Sequence, residues 1–297
     1  MKNDQNDILK MKKTFLPNKN HILNTYVTNN FNDLRFSYFF FPFLLLLLIV
    51  VFLLIENAFS VKAYTQIQKD SFLYLNSKFS KFPDLQFNLT QLGDVIIFLP
   101  FLTIFIVYAP KIWHALLSSL FVSGIFSFLL KKLFAVPRPA AVFDNDSFLI
   151  IGNALSGNTS LPSGHSIATF TILTSVFFAF IPKEMSFKTI WFFSILIIGL
   201  IIVFTRVGVG AHYPLDVVIG SVIGSIAALI GVFINKIYNP WIWIGKKKYY
   251  PVFIFVMFIW AIALMNKIIT DNLMIFYFSL VSLVSTLFII INIYVKK

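Results

Sequence analysis

The stretch FSYFFFPFLLLLLIVVFLLI, residues 36–55, contains no charged side chain and is bounded by Arg35 and Glu56. About twenty consecutive apolar residues are what a helix needs to cross the hydrocarbon core of a bilayer. A secretory signal is the competing interpretation, but no small-residue cleavage site follows the stretch and more apolar runs come after it. The stretch therefore predicts a permanent transmembrane helix.

The composition of the whole chain extends this prediction from one helix to the fold. Of the 297 residues, 58% are hydrophobic, 37 are Phe and only 12% are charged, whereas soluble domains have about 25% charged residues. Apolar runs predict about eight spans, near residues 36–58, 92–109, 113–134, 164–181, 189–207, 214–234, 250–266 and 273–294. The sequence thus predicts an all-α, polytopic transmembrane helix bundle.

The positive charge of the chain lies mainly beside these apolar runs. A net charge of +12 would indicate a nucleic-acid partner in a soluble protein. Here the flanking position of the lysines predicts membrane lipids, and no nucleic acid, as partners. With the N terminus in the cytosol, the cytosolic segments would hold Lys111, Lys183, Lys188, Lys236, Lys246, Lys247, Lys248, Lys296 and Lys297. This orientation satisfies the positive-inside rule, although the first outer loop, residues 59–91, carries four lysines that weaken the bias.

Two segments differ in composition from the spans. Residues 1–35 are rich in Lys and Asn and lack apolar periodicity, which predicts a disordered cytosolic tail. In the loop after the first span, Phe72, Leu75, Phe79 and Phe82 recur at helical spacing. That pattern predicts a short helix, which either lies in the membrane interface or packs on the bundle.

Ionisable residues gather in three clusters at the ends of spans. They are KKLFAVPRP (residues 131–139), PSGH (residues 162–165) and RVGVGAHYPLD (residues 206–216). Charged groups near hydrocarbon are costly unless a partner or ligand compensates, so each cluster is a candidate for a functional site. Under the topology drawn from the lysines, all three clusters lie at the outer membrane face.

The residue types in the clusters indicate a site for an anion. Ser163 is suited to cap the fourth span, whose free N–H groups and positive dipole end would then face outward. Lys131, Arg138 and Arg206 add fixed cations, and Gly164 allows the backbone to approach a ligand closely. Because guanidinium groups match phosphate oxygens in bidentate pairs, phosphate is the expected ligand.

The two histidines of the clusters are suited to catalysis. Asp216 follows His212 by four residues, so an early helical turn brings the carboxylate toward the imidazole. Such a pair fixes the tautomer and leaves the other ring nitrogen free to attack. His165, in the second cluster, can protonate a leaving oxygen.

Other interpretations of these residues compete with this one. A Lys or Arg at a span end is often only an anchor that extends to the interface. A transporter also has ionisable groups in the membrane, but near mid-bilayer and in broken helices. Zinc is a third possibility, since His165, His212 and Asp216 are potential ligands, although the three nearby cations oppose a metal ion. The absence of cysteine excludes disulfides and thiolate metal sites.

The three clusters fit the patterns K-x6-R-P, P-S-G-H and R-x5-H-x3-D, in that order. The chain therefore resembles the type 2 phosphatidic acid phosphatase superfamily, which also includes the vanadium haloperoxidases and glucose-6-phosphatase. The resemblance covers residues 92–235, about half of the chain. One departure is Thr205, at a position where the family usually has Ser.

The resemblance implies specific roles for the clustered residues. His212 is the implied nucleophile, Asp216 its orienting partner and His165 the general acid, while Lys131, Arg138, Ser163, Gly164 and Arg206 are the implied phosphate-binding residues. The resemblance implies that this chain works without a metal or another cofactor. A phosphohistidine on His212 is therefore the expected intermediate.

The resemblance also implies a domain organisation and a substrate class. A six-span phosphatase core occupies residues 36–235, and residues 236–297 add a cytosolic loop and two spans without an assigned role. The expected activity is hydrolysis of a lipid phosphate or pyrophosphate at the outer face of a bacterial inner membrane. Transfer of the phosphoryl group to a lipid or sugar acceptor is the alternative. Undecaprenyl pyrophosphate, phosphatidylglycerophosphate, phosphatidic acid and lipid A phosphates are all compatible substrates, and the sequence has no signal for an oligomeric state.

Overall fold

The fold is helical throughout residues 19–296, which are the residues that the structure, a computed structural model, describes. Its α-helices are α1 (Lys19–Asn32), α2 (Phe40–Ile55), α3 (Val61–Gln66), α4 (Lys69–Phe79), α5 (Pro83–Thr90), α6 (Val95–Phe98), α7 (Phe105–Tyr108), α8 (Pro110–Phe134), α9 (Pro139–Val142), α10 (Gly164–Ala179), α11 (Met185–Gly208), α12 (Pro214–Ile237), α13 (Tyr250–Asp271) and α14 (Met274–Val295). Short 3₁₀ helices occur at Phe36–Phe39, Gln91–Gly93, Leu99–Leu102, Asn145–Ser147 and Lys247–Tyr249. Within these residues there is no strand, so the predicted all-α fold is confirmed.

Six helices are long and apolar enough to cross a membrane, namely α2, α8, α11, α12, α13 and α14. They confirm an integral membrane protein. The fourth predicted span is α10, an apolar helix of only 16 residues. The second predicted span is bent, and counting it gives seven candidate spans instead of the predicted eight.

The second predicted span belongs to a broken segment, residues 83–108. Its two parts meet at Asp94 with an angle of 91°. The Asp94 carboxylate accepts a hydrogen bond from the Ile96 N–H at 3.0 Å, as an N-cap does, so a new helix begins there. Six residues later, Pro100 removes a backbone donor. Apolar composition alone does not distinguish such a segment from a straight span.

The prediction that residues 1–35 form a disordered tail is wrong for Lys19–Asn32. That part forms α1, and Val27 is completely buried. The Asn30 side chain donates a hydrogen bond to the Ala179 carbonyl at 2.9 Å, which joins α1 to the end of α10. Few apolar residues and specific hydrogen bonds fix this helix, so periodicity did not reveal it. Residues 1–18 lie outside the described part of the chain.

The central helix of the bundle is α12. In its most apolar stretch 78% of the residues are buried, against 11% for α2 and for α13. It packs most extensively on α8 and α10. A Cβ atom at Gly220 would lie 2.7 Å from the Ser163 carbonyl oxygen, and Gly224 and Gly231 face neighbouring backbones in the same way. Small residues therefore let these helices touch backbone to backbone.

The loop after the first span forms a packed layer made of α3 and α4, the α3–α4 segment. Phe72 is completely buried, and its ring lies 5.0 Å from that of Phe148 and 5.8 Å from that of Tyr213. The Asn76 side chain donates a hydrogen bond to the Val207 carbonyl at 3.1 Å. Of the two predicted positions for this helix, packing on the bundle is confirmed.

The two ends of the bundle differ in their charged residues. At one end, Lys236 donates a hydrogen bond to the Asn32 carbonyl at 2.7 Å, and Lys111 donates to the Asn239 side chain at 3.2 Å. Lys183 lies at the same end, in a cavity beside α1. The three motif clusters lie at the opposite end. The lysines that the sequence assigns to the cytosol therefore lie away from the clusters.

This separation predicts the result of cysteine labelling. Cysteines introduced singly at Ser156 and Asp271 should react with an impermeant thiol reagent outside intact cells, and a cysteine at Ser186 should not, because the lysine-rich end is expected to face the cytosol. All three positions are exposed, and the chain has no native cysteine. Labelling of permeabilised cells controls for the reactivity of each thiol. Labelling at Ser186 but not at Ser156 would place the clusters on the cytosolic side.

Candidate active site

The three clusters meet at one end of the bundle. The first cluster contributes Lys131, in the last turn of α8, and Arg138, just before α9. The second contributes Ser163, which precedes α10, and Gly164 and His165, which begin it. The third contributes Arg206 in the last turn of α11, His212 in the turn before α12, and Asp216 in the first turn of α12. The Ser163 N–H donates a hydrogen bond to the Asp216 carbonyl at 3.1 Å, so the starts of α10 and α12 lie side by side. The structure therefore brings together all of the site residues that the sequence predicted.

His212 and Asp216 form a pair across the start of α12. Nδ1 of His212 lies 3.5 Å from Oδ2 of Asp216, and both side chains are buried. Because α12 begins at Pro214, Asp216 lies in the first helical turn, where its carboxylate also accepts the Tyr213 N–H at 3.1 Å. Nε2 of His212 lies 3.4 Å from Nη1 of Arg138. One ring nitrogen therefore faces the carboxylate, and the other faces a cation.

The ionisation of His212 follows from these surroundings. Burial, and then the positive charges of Arg138, Arg206 and Lys131, lower the pKa of His212 well below its usual value of 6.5. The ring is therefore neutral at neutral pH. The carboxylate beside Nδ1 favours the tautomer with the proton on Nδ1, which leaves a lone pair on Nε2. This is the form that a nucleophilic imidazole needs.

Two side chains outside the motifs donate hydrogen bonds to the buried Asp216 carboxylate. Ser160 Oγ donates to Oδ2 at 2.5 Å, and the Tyr64 hydroxyl donates to Oδ1 at 2.8 Å. Burial and the negative charge of Asp216 raise the pKa of Tyr64 well above its usual value, so the phenol stays protonated and acts as the donor. A buried carboxylate is costly without such donors, and here both of its oxygens have one.

Arg138 lies beside Nε2 of His212, and Lys131 is an electrostatic neighbour of both residues. A Cβ atom at Gly164 would lie 3.2 Å from Nζ of Lys131, so the ammonium group lies against the first turn of α10. Nη1 of Arg138 donates a hydrogen bond to the Ala211 carbonyl at 3.2 Å, next to His212. The two cations and the N terminus of α10 therefore border one space.

Arg206 is the third cation, and it is buried with 7% of its surface exposed. Its Nη1 donates a hydrogen bond to Oγ1 of Thr90 at 2.8 Å. Its Nε is buried, and no acceptor for it is found among residues 19–296. An unsatisfied buried donor costs about 1–3 kcal/mol, and more when it is charged. A guanidinium group in this situation is ready to bind an anion.

The charges around His212 favour a phosphate dianion. Lys131, Arg138 and Arg206 oppose only one carboxylate, that of Asp216, and leave two positive charges in excess. The N terminus of α10 adds a partial positive charge. In the described part of the chain, no group of three or more His, Asp or Glu is arranged to hold a metal ion.

His165 lies in the first turn of α10, against the broken segment. A Cβ atom at Gly93 would lie 2.6 Å from Cδ2 of His165, so this contact needs a glycine. The electrostatic neighbours of His165 include Arg206, His212 and Lys131. The second imidazole therefore borders the same space as the first.

Sequence reasoning missed Ser160, Tyr64 and Thr90. The short distance from Ser160 to the PSGH motif was an available signal. Tyr64 lies 152 residues before Asp216 in the chain, and Thr90 lies 116 residues before Arg206, so no local pattern marks them. The hydroxyl of Thr205 donates to the Ile202 carbonyl of its own helix.

Parts of this chain are similar to known proteins. Residues 112–243 match the family model of the PAP2 superfamily, and this range contains all three clusters. No curated protein sequence matches the chain. The crystal structure of Aquifex aeolicus LpxE is similar to 55% of this chain and 93% of that chain, with 24% sequence identity and a TM-score of 0.46. Residues 112–243 of this integral membrane protein, somewhat less than half of the chain, match the PAP2 superfamily.

Proposed function

We propose that the protein hydrolyses a lipid phosphate or lipid pyrophosphate at the outer membrane face through a phosphohistidine on His212. The observation that supports this most directly is the environment of the His212 ring. Its Nδ1 lies 3.5 Å from the Asp216 carboxylate, and its Nε2 lies 3.4 Å from a guanidinium nitrogen of Arg138. A phosphate held by the cations would therefore lie in front of Nε2.

The position of the site at the end of the spans supports a lipid-linked substrate. Phe128, Leu133 and Phe134 lie near Lys131 on α8, with exposed fractions of 65%, 73% and 39%. In a membrane, these side chains contact lipid. A phosphate held by Lys131 would have hydrocarbon beside it, so the acyl or prenyl chain of a substrate can stay in the bilayer.

In the first step, Nε2 of His212 attacks phosphorus in line with the bond to the lipid oxygen. Asp216 stabilises the positive charge that develops on the imidazole. The three cations and the N–H groups at the start of α10 stabilise the charge on the equatorial oxygens. His165 donates a proton to the departing lipid oxygen.

In the second step, water attacks the phosphohistidine. His165, which has lost its proton to the lipid oxygen, accepts a proton from the water molecule. The bond between phosphorus and Nε2 of His212 breaks, and inorganic phosphate leaves. The same cations stabilise both transition states, because the equatorial oxygens occupy the same place in each step.

Replacement of the two histidines tests these roles. His212→Ala should lower phosphate release by more than about 1,000-fold, because the covalent route is lost. His165→Ala should slow the hydrolysis of lipid phosphates more than that of activated aryl phosphates, whose leaving groups need no proton. The assay measures phosphate release in detergent from the four lipid classes named above, and thermal unfolding shows that each variant is folded. A His212→Ala protein with about a tenth of the wild-type turnover would rule out His212 as the nucleophile.

Chelation and vanadate test the proposed independence from metal. Activity should persist in excess EDTA, because the cations and the N terminus of α10 supply the charge stabilisation that a metal would provide. Vanadate should inhibit, because it adopts the five-coordinate geometry of the transition state with His212 as an apical ligand. Loss of activity in EDTA that zinc or magnesium restores would contradict this mechanism. If none of the lipids released phosphate, whether or not an alcohol acceptor was present, the proposed activity would be contradicted.

Tyr64→Phe tests the hydrogen bond to Asp216, because it removes only the hydroxyl. The carboxylate then orients His212 less well, so kcat should fall by about tenfold, as expected from the loss of a hydrogen bond to a charged group. KM should change little, because Tyr64 contacts the carboxylate and not the phosphate site. Tyr74→Phe is the matched control, since Tyr74 lies in the same segment and is 62% exposed. Equal kcat values for the two variants would show that Tyr64 has no part in orienting the pair.

A further inference from the structure

The last two helices, α13 and α14, form a C-terminal pair that contacts the broken segment. Helix α14 packs most extensively on α13. Its next most extensive contacts are with three elements of the broken segment, namely α5, α6 and the 3₁₀ helix Leu99–Leu102. These contacts include several hydrogen bonds from side chains of the pair to backbone carbonyls. The pair therefore does more than add apolar surface.

Trp260 of α13 replaces a hydrogen-bond donor that the broken segment lacks. In a continuous helix, the Ile96 carbonyl would accept the N–H of residue 100, but that residue is Pro100. Nε1 of Trp260 donates to the Ile96 carbonyl at 2.8 Å instead. Near the same position, Nζ of Lys267 lies 3.4 Å from the Asp94 carboxylate at the bend. These contacts compensate for the break in the helical hydrogen bonds.

Two serines of α14 make the same kind of contact. Ser279 Oγ donates a hydrogen bond to the Ile97 carbonyl at 3.0 Å, and Ser282 Oγ donates to the Pro100 carbonyl at 3.1 Å. Ser279 is completely buried. Three side chains of the C-terminal pair thus donate hydrogen bonds to the broken segment just after its bend.

The part of the broken segment before its bend contacts the candidate active site. Thr90, with 2% of its surface exposed, accepts the hydrogen bond from Nη1 of Arg206. Gly93 lies against His165 so closely that a Cβ atom there would overlap the ring. Both residues lie within one turn of Asp94. A shift of the bend would therefore displace a phosphate-binding cation and the general acid together.

We propose that the C-terminal pair holds the broken segment in the bent shape that positions Arg206 and His165. Trp260, Ser279 and Ser282 are then positioning residues for the phosphatase reaction, although they lie outside the residues that match the family. This inference rests on the roles of Arg206 and His165 in the proposed function. It assigns a task to the two helices beyond the six-span core.

The test compares variants that remove the donors with a control on the same helix. The double variant Ser279→Ala/Ser282→Ala should lower kcat/KM by about tenfold, since a misplacement of about 1 Å costs up to 100-fold in rate. Trp260→Phe keeps an aromatic ring, removes its donor and should act in the same direction. Ser285→Ala is the control, because Ser285 is exposed on α14. Thermal unfolding of the purified full chain shows whether each variant is folded.

Combination with Thr90→Val separates positioning from general destabilisation. Thr90→Val removes the acceptor for Arg206, so the bend can no longer position that side chain. In the Thr90→Val background, the serine double variant should lower kcat/KM by a smaller factor than it does in the wild type. The reason is that both changes break the same path of contacts. If the loss of kcat/KM in the combined variant equals the product of the two separate losses, the inference is overturned. The same holds if the serine double variant is as active as Ser285→Ala.

Vanadate binding, measured by calorimetry, keeps this test separate from the test of the proposed function. If His212→Ala abolishes phosphate release but the serine double variant behaves like Ser285→Ala, the proposed function stands and the positioning role is wrong. If His212→Ala stays active, the proposed function is wrong, and vanadate binding decides the positioning role. At least about fivefold weaker binding to the serine double variant supports that role. Equal binding, or no binding to the wild type, overturns it.

Discussion

Direct backbone contact between α10 and α12 determines the geometry of the site. Gly220 leaves room for the Ser163 carbonyl, and the Ser163 N–H reaches the Asp216 carbonyl at 3.1 Å. The first turns of the two helices therefore lie side by side. One turn presents N–H groups to an anion, and the other holds the carboxylate of the His212–Asp216 pair. A larger side chain at the contact would separate the two.

The charges of the site are balanced in two different ways. The negative charge of Asp216 is buried, and it has hydrogen-bond donors from Ser160, Tyr64 and the backbone. The cations are not balanced, and Arg206 retains a buried donor without an acceptor among residues 19–296. The fold thus fixes the carboxylate beside His212. It leaves the positive charge available for an anion.

Two peripheral parts of the chain are joined to the bundle by hydrogen bonds from side chains. The α3–α4 segment contributes the Tyr64 hydroxyl and the Asn76 side chain, and the C-terminal pair contributes Trp260 and its two serines. These side chains donate hydrogen bonds to backbone carbonyls or to the Asp216 carboxylate. Such bonds are directional, so they fix position more closely than apolar contact does.

The sequence alone determined that the chain spans a membrane and which charged residues meet at one end of the bundle. The first follows from the length of the apolar runs, and the second follows from the topology, which places all three clusters at the same end of the spans. The tertiary structure decided the partners of the site, because Tyr64 and Thr90 reach it across 152 and 116 residues. It also decided the bend at Asp94, because an apolar run has the same composition whether its helix is straight or broken. Hydrogen bonds between distant segments depend on the folded path of the chain, and no local pattern encodes that path.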